Sequence, residues 1–155
     1  MSFDNKNLIN EIKQKVTESQ EKEIETALDI LDEWCAYCDT LKFEENFEQA
    51  LFNSISRGCR RVMLRISFIS NPYYKINCDK VLSGGLGDRT LSFQSNNIEK
   101  YLPTIEEKIE QIIQTAVSKL KTINGVTVTY ENDGYRGPEY TGFTQYMDCY
   151  IYVDW

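Results

Sequence analysis

Cys35 and Cys38 have the spacing of a redox-active pair or of half a zinc site. A redox pair functions at the N-terminal end of a helix, where the local field lowers the pKa of the first thiol. Here the pair comes late in a helical pattern and soon after two acidic residues, which raise thiol pKa values. The other cysteines are Cys59, Cys78 and Cys149. They provide no second close pair for zinc, so we interpret all five as reduced structural residues, with redox and metal roles as the alternatives.

The sequence contains no histidine. This excludes Ser-His and Cys-His nucleophile pairs, histidine-ligated metals and imidazole acid–base catalysis. An enzyme would have to use carboxylates, Lys, Tyr, Cys or backbone donors. Glu106, Glu107 and Glu110 fall on the outer face of a predicted helix, which is typical of a solvated surface rather than of a glycosidase pair. We therefore expect no catalytic residues, no metal and no cofactor.

Two loops have residues suited to ligand binding. Gly84–Arg89 is rich in glycine and offers backbone N–H groups to a phosphate, but it leads into an extended stretch and lacks the lysine of known phosphate loops. Residues 133–143 offer Tyr135, Arg136 and Tyr140, which are the residue types of interface hot spots. If both loops met in one deep pocket with Arg89 and Arg136 pointing inward, a small ligand would be favoured.

Acidic residues are concentrated between Glu18 and Glu48, with 11 acids against two lysines. At 100° per residue, one group lies far from the centre of the apolar face of a predicted helix. Its members are Glu18, Glu21, Glu25, Asp29, Asp32 and Glu33. This stripe is expected to face solvent. It either provides solubility or recognises a basic partner, since like charges this concentrated oppose one another.

The long apolar stripe between about residues 98 and 123 predicts the helix on which the sheet packs. Ile105, Ile109, Ile112, Ala116 and Leu120 recur at steps of three and four. Before it, apolar periodicity predicts three N-terminal helices: a short first one, a second resuming at Ile24 after an expected bend or break at residues 17–23, and a third stopped at Gly58.

Alternating residues predict strands from Val62 to Phe68, Tyr74 to Cys78 and Gln145 to Trp155, with a further strand near Val128. The fold class is therefore α+β, with N-terminal helices and a mostly antiparallel sheet packed on the long helix. In the last strand Tyr146, Tyr150 and Tyr152 should point away from that helix. Coverage of this second sheet face by the N-terminal helices is favoured over exposure.

The length predicts a single domain over residues 1–155, divided into an acidic helical part, 1–58, and a sheet with its core helix, 59–155. Residues 1–58 hold 13 acids and 6 bases, and residues 59–155 hold 11 of each. Direct nucleic-acid binding is not expected, because it requires a basic footprint. No membrane span or signal peptide is recognisable, so we expect a cytoplasmic protein.

The leading functional hypothesis is a non-enzymatic binding or inhibitor protein that presents its acidic surface to a basic protein, such as a nuclease or a nucleic-acid-binding protein. Immunity proteins and phage anti-defence proteins that imitate nucleic-acid charge work by this physics. A chain with 15 Ile and 11 Asn against 4 Ala suggests AT-rich coding DNA, as in some bacteria and their phages. The alternative is a small ligand-binding protein or enzyme using the loops Gly84–Arg89 and Tyr135–Tyr140.

Overall fold

The computed structural model describes residues 5–70 and 72–155, without the side chains at positions 5, 6, 140 and 141. The helices are α1 (Asn5–Cys38), α2 (Leu41–Ser56), α3 (Lys80–Ser83), α4 (Leu102–Leu120) and α5 (Pro138–Thr141). The strands are β1 (Arg61–Ser70), β2 (Tyr74–Cys78), β3 (Arg89–Phe93), β4 (Thr127–Asn132) and β5 (Thr144–Asp154). The predicted α+β class is confirmed. No described helix has the length and apolar character needed to cross a bilayer.

The sheet has five antiparallel strands in the order β3-β2-β1-β5-β4. Its centre is the pairing of β1 with β5, which runs from Arg61 opposite Asp154 to Ser70 opposite Thr144. Val62, Leu64 and Ile66 on β1 are buried, and they alternate with exposed neighbours. This two-residue alternation gives the sheet one apolar face, which has to be covered.

Helix α4 covers part of that face with a buried stripe. Its buried residues are Ile105, Ile109, Ile112, Ile113, Ala116, Val117 and Leu120. The helix is shorter than the predicted 98–123, because Ile98–Lys100 forms a separate 3-10 turn and the chain leaves the helix after Leu120. Ile98 and Ile123 still pack against the core from the flanking turns, which explains why the apolar period continued beyond the helix.

Helix α1 is continuous, so the break that was one of the two expectations at residues 17–23 is wrong and the three expected N-terminal helices are two. The helix accommodates its threonines by bonding their hydroxyl groups one turn back: Thr17 donates to the carbonyl of Lys13 at 3.0 Å, and Thr26 to that of Lys22 at 2.9 Å. The polar run at residues 17–23 marks where α1 leaves the core rather than where it ends. Thr40 then caps α2 by accepting a hydrogen bond from the N–H of Phe43.

The second face of the sheet is open, contrary to the expectation that the N-terminal helices cover it. Trp34 and Leu31 of α1 and Phe43 of α2 join the residues of α4 in one core cluster, so all the long helices lie on the same face. Met63, on the other face, is about half exposed. Salt bridges and tyrosine side chains make that face stable in water without a covering layer.

A β-bulge corrects the predicted direction of Tyr146. Phe68 pairs with Met147 but Ile69 pairs with Gln145, so Tyr146 is an extra residue in β5. Its ring stacks on Phe68 at 4.7 Å between centroids, among the aromatic side chains of the helix-covered side. Tyr150 and Tyr152 do lie on the open face, opposite Arg65 and Met63, as the alternation predicts.

Candidate protein-binding surface on the helix layer

Five of the six predicted acidic residues are exposed along α1, and one of these five, Asp32, is ion-paired with α4. We name Glu18, Glu25, Asp29 and Glu33 the acidic ridge. Ile24, Leu31 and Trp34 face the core from the same helix, and this rotation sets the ridge toward solvent. No ion pair among the described residues involves a member of the ridge. Glu18 accepts a hydrogen bond from the Gln14 amide at 3.2 Å.

The other two acidic residues differ from the ridge in that one is ion-paired and the other is partly buried. Asp32 Oδ1 lies 2.6 Å from Lys108 Nζ, which ties α1 to α4. Glu21 is partly buried. Asp32 therefore stays exposed to solvent but is ion-paired across the two helices, and Glu21 is only partly covered.

Spacing makes the ridge a concentrated field rather than scattered charges. Glu25, Asp29 and Glu33 follow each other at intervals of four residues, so they are neighbours on one helix face. Residues 18–33 contain seven acids and only one base, Lys22. Like charges at this spacing destabilise a helix by a few tenths of a kcal/mol per pair. The fold therefore gains nothing from this row of carboxylates.

The predicted loop after β4 is folded back on the sheet. Arg136 pairs through its backbone with Gln145, with both N–H···O distances at 2.8 Å. Tyr135 is exposed, and its ring centroid lies 6.0 Å from that of Tyr146. The side chain of Tyr140 lies outside the described residues. The loop thus presents one exposed tyrosine beside the ring of Tyr146, on the helix-covered side of the sheet.

The glycine-rich loop packs against α1 instead of forming a phosphate cradle. Gly84 ends α3 with φ of 74°, and a Cβ there would lie 2.9 Å from the ring of Tyr37. The guanidinium of Arg89 sits over the ring of Trp34 at 6.0 Å. Glycine is therefore required at position 84 for packing and for backbone conformation, which accounts for the motif without a ligand.

In the described part of the chain, the two loops border an open cleft rather than a deep pocket. This cleft of about 460 Å³ lies between the two loops on the open face of the sheet. Asp88 from one loop and Phe143 from the other line it. Most of its other lining comes from strands: Arg65, Ser67, Ile69, Asn77, Thr90 and Gln145. Neither Arg89 nor Arg136 lines it. The arrangement expected for a small ligand, with Arg89 and Arg136 pointing into one deep pocket, is therefore not the one observed.

The cysteines contact separate parts of the structure. Cys35 Sγ lies 3.5 Å from Thr115 Oγ1 on α4, whereas Cys38 Sγ donates to the carbonyl of Leu82 at 3.4 Å. All five cysteines are free. Burial raises the pKa of the Cys38 thiol to about 12 and that of Cys149 to about 11. Neither thiol is a nucleophile at neutral pH.

Sequence reasoning missed an ordered set of arginine, tyrosine and aspartate on the open face. Arg65 Nε donates to Asp148 at 2.8 Å, and Arg65 Cζ lies 5.2 Å from the centroid of the Tyr150 ring. Arg61 makes the same contacts with Asp154 and Tyr152. The two tyrosine rings stack with an interplanar angle of 6°. The alternation of residues in β5 assigned Tyr150 and Tyr152 to the correct face. Their contacts with the arginines could not be predicted, because these depend on the register of β1 against β5.

Within the described residues, no group of three or more Cys, Asp or Glu side chains is arranged to hold a metal ion. The charged groups described above lie on two surfaces: the acidic ridge on the helix layer, and the paired arginines on the open face of the sheet. No family model, curated protein or solved structure matches the chain.

Proposed function

We propose that this chain is a non-enzymatic binding or inhibitor protein that docks the acidic ridge onto a basic protein. The observation that carries the proposal is the row of exposed carboxylates on α1, which no ion pair of the described structure neutralises. A concentrated field of one sign accelerates encounter with an oppositely charged surface. The proposed partner is a nuclease or another nucleic-acid-binding protein, whose basic site binds nucleic acid, and such a row resembles nucleic acid in charge.

The proposed partner also indicates the compartment in which the protein acts. An immunity protein against a nuclease toxin and a phage anti-defence protein both act inside the cell, on a basic enzyme made in the same compartment. We infer a cytoplasmic location in a bacterium or its phage, consistent with five free cysteines.

A second candidate function is the binding of a small polar ligand in the open-face cleft. The cleft of about 460 Å³ is within the size range of ligand pockets, and its lining combines Arg65, Asp79 and Asp88 with apolar Ile69 and Phe143. It is shallow, and its arginine is already engaged by Asp148. These two properties rank it below the ridge.

Capture with three matched baits tests the ridge. The first bait is the native chain, and the second has Glu25→Gln, Asp29→Asn and Glu33→Gln. The third has Glu45→Gln, Glu48→Gln and Glu99→Gln, which removes the same charge from other exposed positions. We expect a basic protein from the native host to be retained by the first and third baits and lost by the second. Equal retention by all three would contradict the proposal.

A further inference from the structure

An open groove runs between α1 and α4 on the side of the helix layer away from the sheet. It measures about 720 Å³, and its lining includes Asp32 and Ala36 of α1 with Gln111, Thr115 and Ser118 of α4. Gln111 and Ser118 are exposed, because they lie opposite the buried stripe of α4. The groove is therefore accessible to the surface of another protein.

Two ion pairs bridge the groove and show its direction. Asp32 Oδ1 lies 2.6 Å from Lys108 Nζ, and Asp39 Oδ1 lies 3.4 Å from Lys119 Nζ. The residue numbers rise together, so α1 and α4 run in the same direction here. From Lys108 to Lys119 is about 16 Å at 1.5 Å per residue. A groove of this length fits about three turns of a helix.

The acidic ridge continues the α1 wall of the groove. At 100° per residue, Glu25 and Asp29 both lie within about 20° of Ala36 around the axis of α1. Glu33 lies about 60° from Ala36, on the side away from α4. A segment that lies along the groove would therefore meet Glu25 and Asp29 where it extends past the groove toward the N-terminal part of α1.

The α4 wall does not oppose a basic occupant. Among the described residues that line the groove, Lys119 is the only base, and it is ion-paired with both Asp39 and Glu44. Glu107 lies one turn before Gln111 and accepts a hydrogen bond from its amide at 3.5 Å. A basic segment would thus meet carboxylates on α1 and uncharged, acidic or already neutralised side chains on α4.

We propose that the groove receives a basic helix of the partner protein, with lysine or arginine side chains against Glu25 and Asp29. This inference rests on the proposed function and names the part of the partner that the ridge meets. A helix presents side chains at i and i+4 about 6 Å apart, which is the spacing of these two carboxylates. Its small side chains enter between Cys35 and Ser118, as side chains of one helix pack between those of its neighbours.

A second copy of this chain is a poorer match for the groove. Two ridges of the same sign would face one another, which opposes association. A small cationic ligand is also disfavoured, because an open groove of this length would cover little of its surface. Charge complementarity therefore favours a basic helix as the occupant.

Thiol protection in the native chain tests where the helix lies. Cys35 is half-buried beside Thr115 in the groove, whereas Cys59 is exposed outside it and serves as an internal control. The probe is an alanine-based peptide of about 18 residues, or five helical turns, with lysines four residues apart along one side. A scrambled peptide of the same composition has its lysines spread around the helix.

Alkylation of both thiols by iodoacetamide is followed by mass spectrometry at about 50 mM salt. At about twice its Kd, the one-sided peptide should slow the alkylation of Cys35 about threefold, because the occupied groove excludes the reagent. Alkylation of Cys59 should be unchanged. Equal alkylation of Cys35 with and without the bound peptide, or equal protection by the scrambled peptide, would overturn the inference.

Filling the groove without changing its charge tests the same contact by affinity. Gln111→Trp with Ser118→Trp, the groove variant, should weaken binding of the one-sided peptide about tenfold in fluorescence anisotropy, because the indole rings occupy the site of the peptide. The matched control is Gln49→Trp with Ser56→Trp, at exposed positions of α2 with the same spacing. The control should bind within about twofold of the native chain.

The variant with Glu25→Gln, Asp29→Asn and Glu33→Gln separates this inference from the proposed function. We expect it to lose affinity for the peptide as the groove variant does. A loss in this variant but not in the groove variant would overturn the groove and leave the proposed function standing. A loss in the groove variant alone would contradict the role of the ridge. Equal affinity for all forms, or no binding up to about 1 mM peptide, would overturn the inference.

Discussion

At the scale of single residues, the two arginines of the open face bind partners that differ in burial. The Asp148 side chain is 6% exposed and that of Asp154 is 34% exposed, although both arginines are about half exposed. Asp148 also accepts a hydrogen bond from the Tyr150 hydroxyl at 3.0 Å. A buried carboxylate that loses its donors keeps the cost of its desolvation, whereas an exposed one is solvated by water.

We therefore expect Arg65→Ala to destabilise the fold more than Arg61→Ala. The loss at Arg65 should be about 1–3 kcal/mol, at the lower end of buried ion pairs because the guanidinium is half exposed. Urea unfolding of the two variants measures the difference. Equal losses would mean that the burial of Asp148 does not govern the strength of this pair.

Asp79 gives the stability of the fold a predictable pH dependence. Its carboxylate caps α3 by accepting from the N–H of Val81 at 2.8 Å, while burial and the nearby Asp88 raise its pKa. The folded chain therefore binds this proton more tightly than the unfolded chain. Stability contributed at this site is present below the unfolded pKa and is lost as pH rises through the raised folded pKa.

Asp79→Asn should remove that loss while keeping the cap, because Asn caps helices as well as Asp does. The variant should match the native chain below the unfolded pKa of Asp and exceed it in stability at neutral pH. Thermal unfolding across this pH range measures the effect, with Asp29→Asn as a control for the loss of one exposed carboxylate. A variant less stable than the native chain at neutral pH would show that the cap needs the charge.

At the scale of elements, α4 is the helix that the sequence defined best. Its apolar period predicted the buried face, since Ile109 and Ile112 are fully buried. Replacing either with Ala should cost about 2–5 kcal/mol, through lost burial and the cavity left behind. Gln111→Ala, on the exposed side of the same helix, is the control in chemical denaturation. A loss below about half a kcal/mol at both isoleucines would mean that the stripe is not the core.

Other elements depend on contacts that a periodic pattern does not contain. The polar run in α1 resembles a break because periodicity reports where a helix is buried, not where it ends. The bulge at Tyr146 depends on the pairing of β5 with β1, so alternation alone assigned that ring to the wrong face. In the same way, the sequence indicated an acidic stripe but not that Lys108 of α4 removes Asp32 from it.

At the scale of the whole molecule, two kinds of charged surface are separated by layer. The helix layer has the acidic ridge on its outer side, and the open face of the sheet has arginines paired with aspartates. The excess of acids in residues 1–58 predicted the acidic helix layer but not the paired arginines. The packing of all the long helices on one face could not be predicted, because α1 and α2 have apolar stripes that would suit either face of the sheet.

The association rate of the purified basic partner with three forms of this chain tests the central claim most directly. The forms are the native chain, the ridge variant with Glu25→Gln, Asp29→Asn and Glu33→Gln, and the control with Glu45→Gln, Glu48→Gln and Glu99→Gln. At about 50 mM salt we predict that the ridge variant associates about tenfold more slowly than the other two, and that the difference shrinks at about 500 mM. A ridge variant that associates as fast as the native chain at low salt would contradict the claim.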